Sequence, residues 1–287
     1  MITALRHRLS RSPASVGRFF KNPLSVVGLV IVVGLVIMAA FAPLIAPADP
    51  NKQDLRARRA PPSLERPLGA DEFGRDMLSR LIFGTRSSLT VAFLSVGIGL
   101  ALGTLLGLIA ANMGGVIDTI IMRAMDLLLA FPYLLLAILI VSVLGPSMLN
   151  TSLAIALWTV PAFARVARSG ALQVKEREFV SAAKALGARE QRVIGAHLLP
   201  NISATLIVYA SLYLAYAILM EAGLSFLGLG VQPPQASWAG MIANGRNYIT
   251  NAPHIVTAPG IAIAVTVLGF NLLGDGLRDA LDPRTRR

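Results

Sequence analysis

Residues 178–201 read EFVSAAKALGAREQRVIGAHLLPN, a polar block between two apolar runs at 149–166 and 202–222. Wound at helical pitch, Phe179, Ala182, Ala183 and Leu186 share one narrow apolar face, while Lys175, Glu178 and Lys184 fall elsewhere. The spacing predicts a helix over 175–186. Gly187 permits the left-handed turn that ends it. A second short helix is expected near 189–196, with Arg189, Glu190 and Arg192 outward and Val193 and Ile194 inward. Pro200 then opens the next apolar run. The expected shape is a helix-turn-helix lying across one mouth of a membrane bundle. The residues alone leave two readings open: docking onto a separate protein, or resting on lipid headgroups.

The flanking runs set the class. The chain has 287 residues, 55% hydrophobic and only 14% charged, with a mean hydropathy of +0.66. Soluble domains carry about a quarter charged residues, so the bilayer must be the solvent for much of this chain. There is no cysteine, which excludes disulfides, thiolate metal sites and thiol catalysis. The formal net charge is +11. Those charges lie mostly between apolar runs, so they are read as setting orientation and meeting anionic lipid rather than nucleic acid.

Six stretches are long enough to span, at 24–46, 88–111, 117–144, 149–166, 202–222 and 254–275, since about 20 helical residues cross the hydrocarbon core. The expected fold is all-α, a polytopic membrane protein with six transmembrane helices. Its divisions are an N-terminal segment 1–23, a first span 24–46, an outer segment 47–87 and a five-helix core 88–275. The core includes the polar loop 167–201, and a tail 276–287 follows it. Ala40-Phe41-Ala42 mimics a signal-peptidase site, but the first apolar run is too long for a signal peptide and Pro43 would follow the cut. An uncleaved first span is expected. Arg6, Arg8, Arg11, Arg18 and Lys21 before it argue for a cytoplasmic N-terminus. The C-terminus, with Arg278, Arg284, Arg286 and Arg287, and the 167–201 loop then also fall inside. One segment disagrees: 47–87 should be outside, yet holds Lys52, Arg56, Arg58, Arg59, Arg66, Arg75, Arg80 and Arg86.

Within that outer segment, prolines make the first half extended. Residues 72–83 are expected as a short amphipathic helix capped by Asp71, either lying on the bilayer or forming a lip over a pathway. Gly99, Gly103 and Gly107 make a bare stripe for close helix packing. Arg123 and Asp126 stand one turn apart and can pair. Each costs about 2.5–3.5 kcal/mol at mid-bilayer, so they are read as an ion pair holding helices together or as a gate near the inner mouth. Pro132 should kink its span. Glu221 faces a polar cavity or reaches the interface.

Ser181-Ala-Ala-Lys-Ala-Leu-Gly187, then nine residues, then His197-Leu-Leu-Pro200 resembles the EAA loop of permease subunits in bacterial ABC importers. Two positions depart from the general pattern, Ser181 for glutamate and His197 for isoleucine. Both departures are similar to the peptide and nickel branch of that family, the DppC/OppC type, where Ala182, Ala183, Gly187, His197, Pro200 and Asn201 all fit. Residues 67–80, 221–238, 269–279 and 281–284 resemble further motifs of the same branch, in the same order. The resemblance runs from about Asn22 to Arg284.

That resemblance implies a type I ABC importer permease fold in a bacterial inner membrane and a role in dipeptide or oligopeptide uptake, with nickel or glutathione as alternatives. It implies partners: a homologous second permease, two cytoplasmic ATPases that bind ATP and Mg, and an extracytoplasmic binding protein. It makes Glu178, Phe179, Ser181, Ala182, Ala183, Leu186, Gly187, His197, Pro200 and Asn201 the ATPase-coupling loop. The residues themselves point to no chemistry in this chain. No Gly-Lys dipeptide exists for a phosphate loop, no His-Glu-x-x-His appears, and His7, His197 and His254 lie far apart. No catalytic residue, metal site or cofactor of its own is expected. An ion-coupled transporter or channel stays open as a lesser alternative, but it would need charges deep in its spans, and here they are scarce and gather near the span ends; an intramembrane enzyme would need a convergent constellation, and none is visible.

Overall fold

The computed structural model describes residues 12–281. The basic residues Arg6, Arg8 and Arg11, His7, and the C-terminal Arg284, Arg286 and Arg287 lie outside them. Helix α1 spans Ser12–Lys21 and α2 Pro23–Ala40. Asn22 caps α2, its side chain accepting from the Leu24 N–H, and Pro23 takes the first turn where no N–H is needed. Helices α3 (Met77–Met113), α4 (Gly115–Ala130), α5 (Tyr133–Leu144) and α6 (Met148–Lys175) follow. Then come α7 (Glu178–Ala185), α8 (Leu199–Phe226), α9 (Trp238–Gly245) and α10 (His254–Leu281). Among the described residues the extended pairing is an isolated bridge between Ala70 and Asp76.

Five helices are long and apolar enough to cross a membrane: α2, α3, α6, α10 and the continuous rod from Glu190 to Phe226. The expected third span at 117–144 breaks where Pro132 was expected to kink it, and more sharply than a kink. It is two helices, α4 and α5, meeting at 92°. Phe131 precedes a proline and is pushed out of the helical region, and Pro132 is extended as well (ψ 131° and 129°). Two extended residues in succession turn the chain further than a kink would.

The expected helix at 72–83 is corrected. The helix begins at Met77 with Asp76 as cap, its carboxylate accepting from the Ser79 N–H at 2.7 Å, and runs unbroken into the second span. Asp71 is committed elsewhere. It accepts from the Phe73 and Arg75 amides (2.9 Å each) and from Arg75 Nε (2.6 Å), with Arg80 Nε 3.3 Å away. Gly74 takes φ +75°, so a helix cannot pass through it.

Such contacts account for five of the basic residues of the outer segment, Arg58, Arg59, Arg66, Arg75 and Arg80. Arg58 donates to the Glu72 carbonyl, and Arg66 to Asp54 and the Gly74 carbonyl. Arg80 donates to the Pro50 carbonyl. Arg59 lies over the Tyr248 ring. These cations serve as local fasteners for a segment without regular structure. Burial pushes the Glu72 carboxyl above its ordinary range, while the Arg66 hydrogen bond holds Asp54 below its own.

Packing between the long helices is close. A Cβ on Gly103 would stand 2.5 Å from the Val160 carbonyl oxygen and 2.6 Å from Phe163 Cβ, so the glycine stripe of α3 is the surface on which α6 rides. One continuous apolar core, including Val91, Phe163, Leu198, Leu224, Trp238 and Phe270, ties α3, α6, α8, α9 and α10 together.

Candidate functional site

The polar loop is built from the ends of three long helices. Lys175, the last residue of α6, donates from Nζ to the carbonyls of Ala111 and Asn112 at 3.0 Å each. This satisfies two carbonyls in the last turn of α3 and fixes where α6 stops. Arg177 turns extended and α7 begins. At its end, Gly187 adopts φ +82°. The Gly187 N–H donates to the Lys184 carbonyl and the Ala188 N–H to the Ala183 carbonyl. That paired pattern is a Schellman stop, which needs a residue at ease with positive φ. Lys184 Nζ reaches across the turn to Glu190 Oε1 at 2.9 Å.

The second half of the expected helix-turn-helix is corrected. Residues 190–192 form an α turn, 193–198 widen into a π turn, and the chain enters α8 without a break. The Leu199 N–H donates to the Ile194 carbonyl, five residues back. Pro200 has no N–H to give and its ring crowds the preceding turn, and the wide turn accommodates it. There is no independent second helix. The fifth span reaches down to the loop, and α7 is clasped between its stem and the end of α6.

Burial sorts the loop residues into anchors and a free face. Val180, Val193 and Leu198 are fully buried, against Val174 and Ile202 of the flanking spans. Leu186 is 89% exposed and Phe179 42%. Ser181 and Ala182 are exposed, and Ala183 is half-buried. Most of the predicted apolar face thus turns away from the chain's own core. The residue that fixes α7 is Val180, which the sequence pattern did not single out. Its signal was available: it sits one residue off the exposed stripe and is the only β-branched residue in α7. The structure brings Phe179 and His197 together, ring centroids 6.0 Å apart, and the Asn201 amide donates to the His197 carbonyl at 2.6 Å.

Arg123 and Asp126 lie elsewhere, on α4. Their nearest approach is 3.9 Å, and Asp126 instead accepts from Arg165 of α6 at 2.7 Å. A second interhelix pair, Asp118 with Arg168, is bidentate. Sequence spacing looked for partners along one helix and so missed both α6 arginines. Glu221 is 1% exposed, with the Ser88 and Ser237 side chains beside it. It does not reach an interface. Among the described residues no three His, Asp or Glu side chains gather where a metal could be held.

Comparison with known proteins follows this geometry. Residues 103–287 match the model of the binding-protein-dependent transport system inner membrane component family. Residues 14–62 match the N-terminal TM domain of oligopeptide transport permease C. The dipeptide transport system permease protein DppC of Alkalihalophilus pseudofirmus is 47% identical over 93% of this chain and 88% of its own. The probable D,D-dipeptide transport system permease protein DdpC of Escherichia coli is 45% identical over 92% and 88%. The glutathione transport system permease protein GsiD of Pectobacterium atrosepticum is 41% identical over 94% and 90%. Among solved structures, a chain of the MetNI methionine ABC transporter in an inward-facing conformation superposes with a TM-score of 0.59 at 16% identity. It covers 72% of this chain and 98% of its own. Fold, motif order and family match converge, and the chain belongs to the binding-protein-dependent transport system inner membrane components, the non-catalytic multi-pass permease subunits of ABC importers.

Proposed function

We propose that this permease carries dipeptides or oligopeptides and that α7 is the surface on which an ATPase subunit acts. The observation that carries the second point is the free face of α7, where Leu186 stands 89% exposed while Val180 is fully buried. A helix anchored on one side and bare on the other is suited to transmit a push. On this reading Glu178, Phe179, Ser181, Ala182, Ala183, Leu186 and Gly187 meet the ATPase, and His197, Pro200 and Asn201 hold the stem of α8 behind them. Both termini and 167–201 are cytoplasmic, and residues 47–76 are extracytoplasmic. The assembly contains a homologous second permease, two ATPases that bind ATP and Mg, and an extracytoplasmic binding protein. ATP-driven closure of the ATPases moves α7, and the rigid link through Val193 and Leu198 into α8 carries that motion to the spans.

Peptide uptake is supported by the relatives named for dipeptide transport. A second reading, glutathione uptake by the same architecture, is supported by the 41% identical glutathione permease. The test replaces Gly187 with valine. Space is not the obstacle, since nothing lies within 4 Å of a Cβ there; the cost is the φ of +82°, about 1–2 kcal/mol of local strain. The expected outcome is a subunit that inserts and assembles while peptide uptake falls at least tenfold, the threshold that ~1.4 kcal/mol of lost coupling would reach. Undiminished ATP-dependent uptake by the variant would remove the coupling role.

A further inference from the structure

The polar loop is tied to α3 as well as to the stem of α8. Lys175 donates from Nζ to the Ala111 and Asn112 carbonyls at 3.0 Å each. Lys184 of α7 grips both oxygens of Glu190, at 2.9 and 3.3 Å. The Asn112 side chain lies beside that same carboxylate. Beneath these polar contacts, Leu108 and Ala111 of α3 share one apolar core with Val174, Val180, Val193 and Leu198. All of these contacts close within the chain and are independent of what covers its outer surface.

What α3 holds at its other end gives that attachment a consequence. It runs unbroken for 37 residues, from Met77 to Met113, about 55 Å at 1.5 Å per residue, and contains no proline. Its first turns carry the 47–76 segment. Ser79 Oγ accepts from the Ala48 N–H, and the Arg80 guanidinium donates to the Pro50 carbonyl, each at 3.0 Å. They also carry α9, where Trp238 Nε1 donates to the Leu81 carbonyl at 2.9 Å. A rigid element fastened at both ends passes on a displacement applied at either one.

We infer that Lys175 is a positioning residue of the transport cycle: it locks the coupling loop to the end of α3, so that α3 carries the displacement of α7 to the 47–76 segment and α9. This rests on the reading of α7 as the surface on which an ATPase acts. An ammonium on two helix carbonyls makes charge-assisted hydrogen bonds at the negative end of the α3 dipole. The pairing of Glu190 with Lys184 and its contact with Asn112 add an attachment from the other side of the Gly187 turn. Without Lys175, α7 would shift while α3 stayed, and ATP would be hydrolysed without moving the far end of the bundle.

The test uses the complete transporter in proteoliposomes, with its other subunits made cysteine-free. This chain has no cysteine, so spin labels go to Met113→Cys, 60% exposed at the end of α3, and to Ala185→Cys on α7. Their separation is expected to stay constant between the nucleotide-free and the vanadate-trapped assembly, and to change between those states once Lys175→Met is added. A separation that changes with Lys175 intact means that α3 does not travel with α7, and overturns the inference. In transport, Lys175→Met is expected to lower the dipeptide carried per ATP hydrolysed about fivefold, the low end of coupling between sites. Thermal unfolding should be unchanged, and Lys175→Arg should restore most of the ratio. An unchanged ratio overturns the inference. So does an equal loss of uptake and hydrolysis with earlier unfolding, which leaves Lys175 a purely structural role. Gly187→Val in the same assay separates the two readings. If it leaves the ratio unchanged, the reading of α7 fails and the inference with it; if it lowers the ratio while Lys175→Met does not, the Lys175 link alone fails.

Discussion

Asp71 shows how much one carboxylate can organise. Three donors converge on it, the Phe73 and Arg75 amides and Arg75 Nε, with the Arg80 guanidinium paired beside them at 3.3 Å, and together they hold a segment that has almost no regular structure. Neighbouring Glu72 is the group whose titration should be felt. Its carboxyl is raised by burial, so between the ordinary carboxylate range and that raised value the folded segment holds a proton the unfolded one has lost. Its contribution to stability is therefore full at low pH and declines as pH rises through the raised value. Glu72→Gln should flatten that decline, measured as the pH dependence of protease resistance of residues 47–76. A profile identical to wild type would show that Glu72 does not titrate in the way its burial dictates. The sequence displayed the charges of this segment but not their pairing. Arg58 to the Glu72 carbonyl and Arg80 to the Pro50 carbonyl join positions 14 and 30 residues apart, and no local spacing rule reaches that far.

At the scale of the element, α7 separates what anchors from what docks. Val180→Ala should cost about 2 kcal/mol of stability, because a fully buried side chain is trimmed. Leu186→Ala should leave stability within about 0.5 kcal/mol, because the side chain is 89% exposed, yet reduce ATP-coupled uptake. Thermal unfolding of the purified complex, set beside uptake, checks both; a reversed order of the two stabilities would mean that α7 packs with its other face inward. The apolar stripe of α7 was legible, and so was its stop at Gly187, because both depend on residues within one or two turns. What lay beyond reach was the continuity of 190–226. A proline in the first turn of a helix is compatible with a start at that point or with a wide turn leading in, and only the packing of Val193 and Leu198 against the core selects the second.

Over the whole molecule, orientation is the feature most open to direct measurement. A periplasm-active phosphatase fused after Pro62 should be active and one fused after Ala188 inactive, as a cytoplasmic 167–201 loop and an extracytoplasmic 47–76 segment require. The opposite pattern would invert the orientation and move α7 to the wrong side for an ATPase. Most of the outer arginines do not count against this orientation, since Arg58, Arg66 and Arg75 are bonded within the 47–76 segment and Arg80 of α3 bonds back to it. By itself the sequence determined a polytopic helical membrane protein with a polar loop between its fourth and fifth spans, and its motifs resembled those of an importer permease. Hydropathy, the glycine stripe and the loop spacing are all local, and the bilayer enforces them independently of the rest of the fold. Only the tertiary structure decided that the third span breaks at 92°, that Asp126 pairs more closely with Arg165 of α6 than with Arg123, and that the outward face of α7 stays bare. Each of those depends on which residues distant in the chain come to lie within a few ångströms, and that is fixed by how the helices pack, not by the order of residues along any one of them.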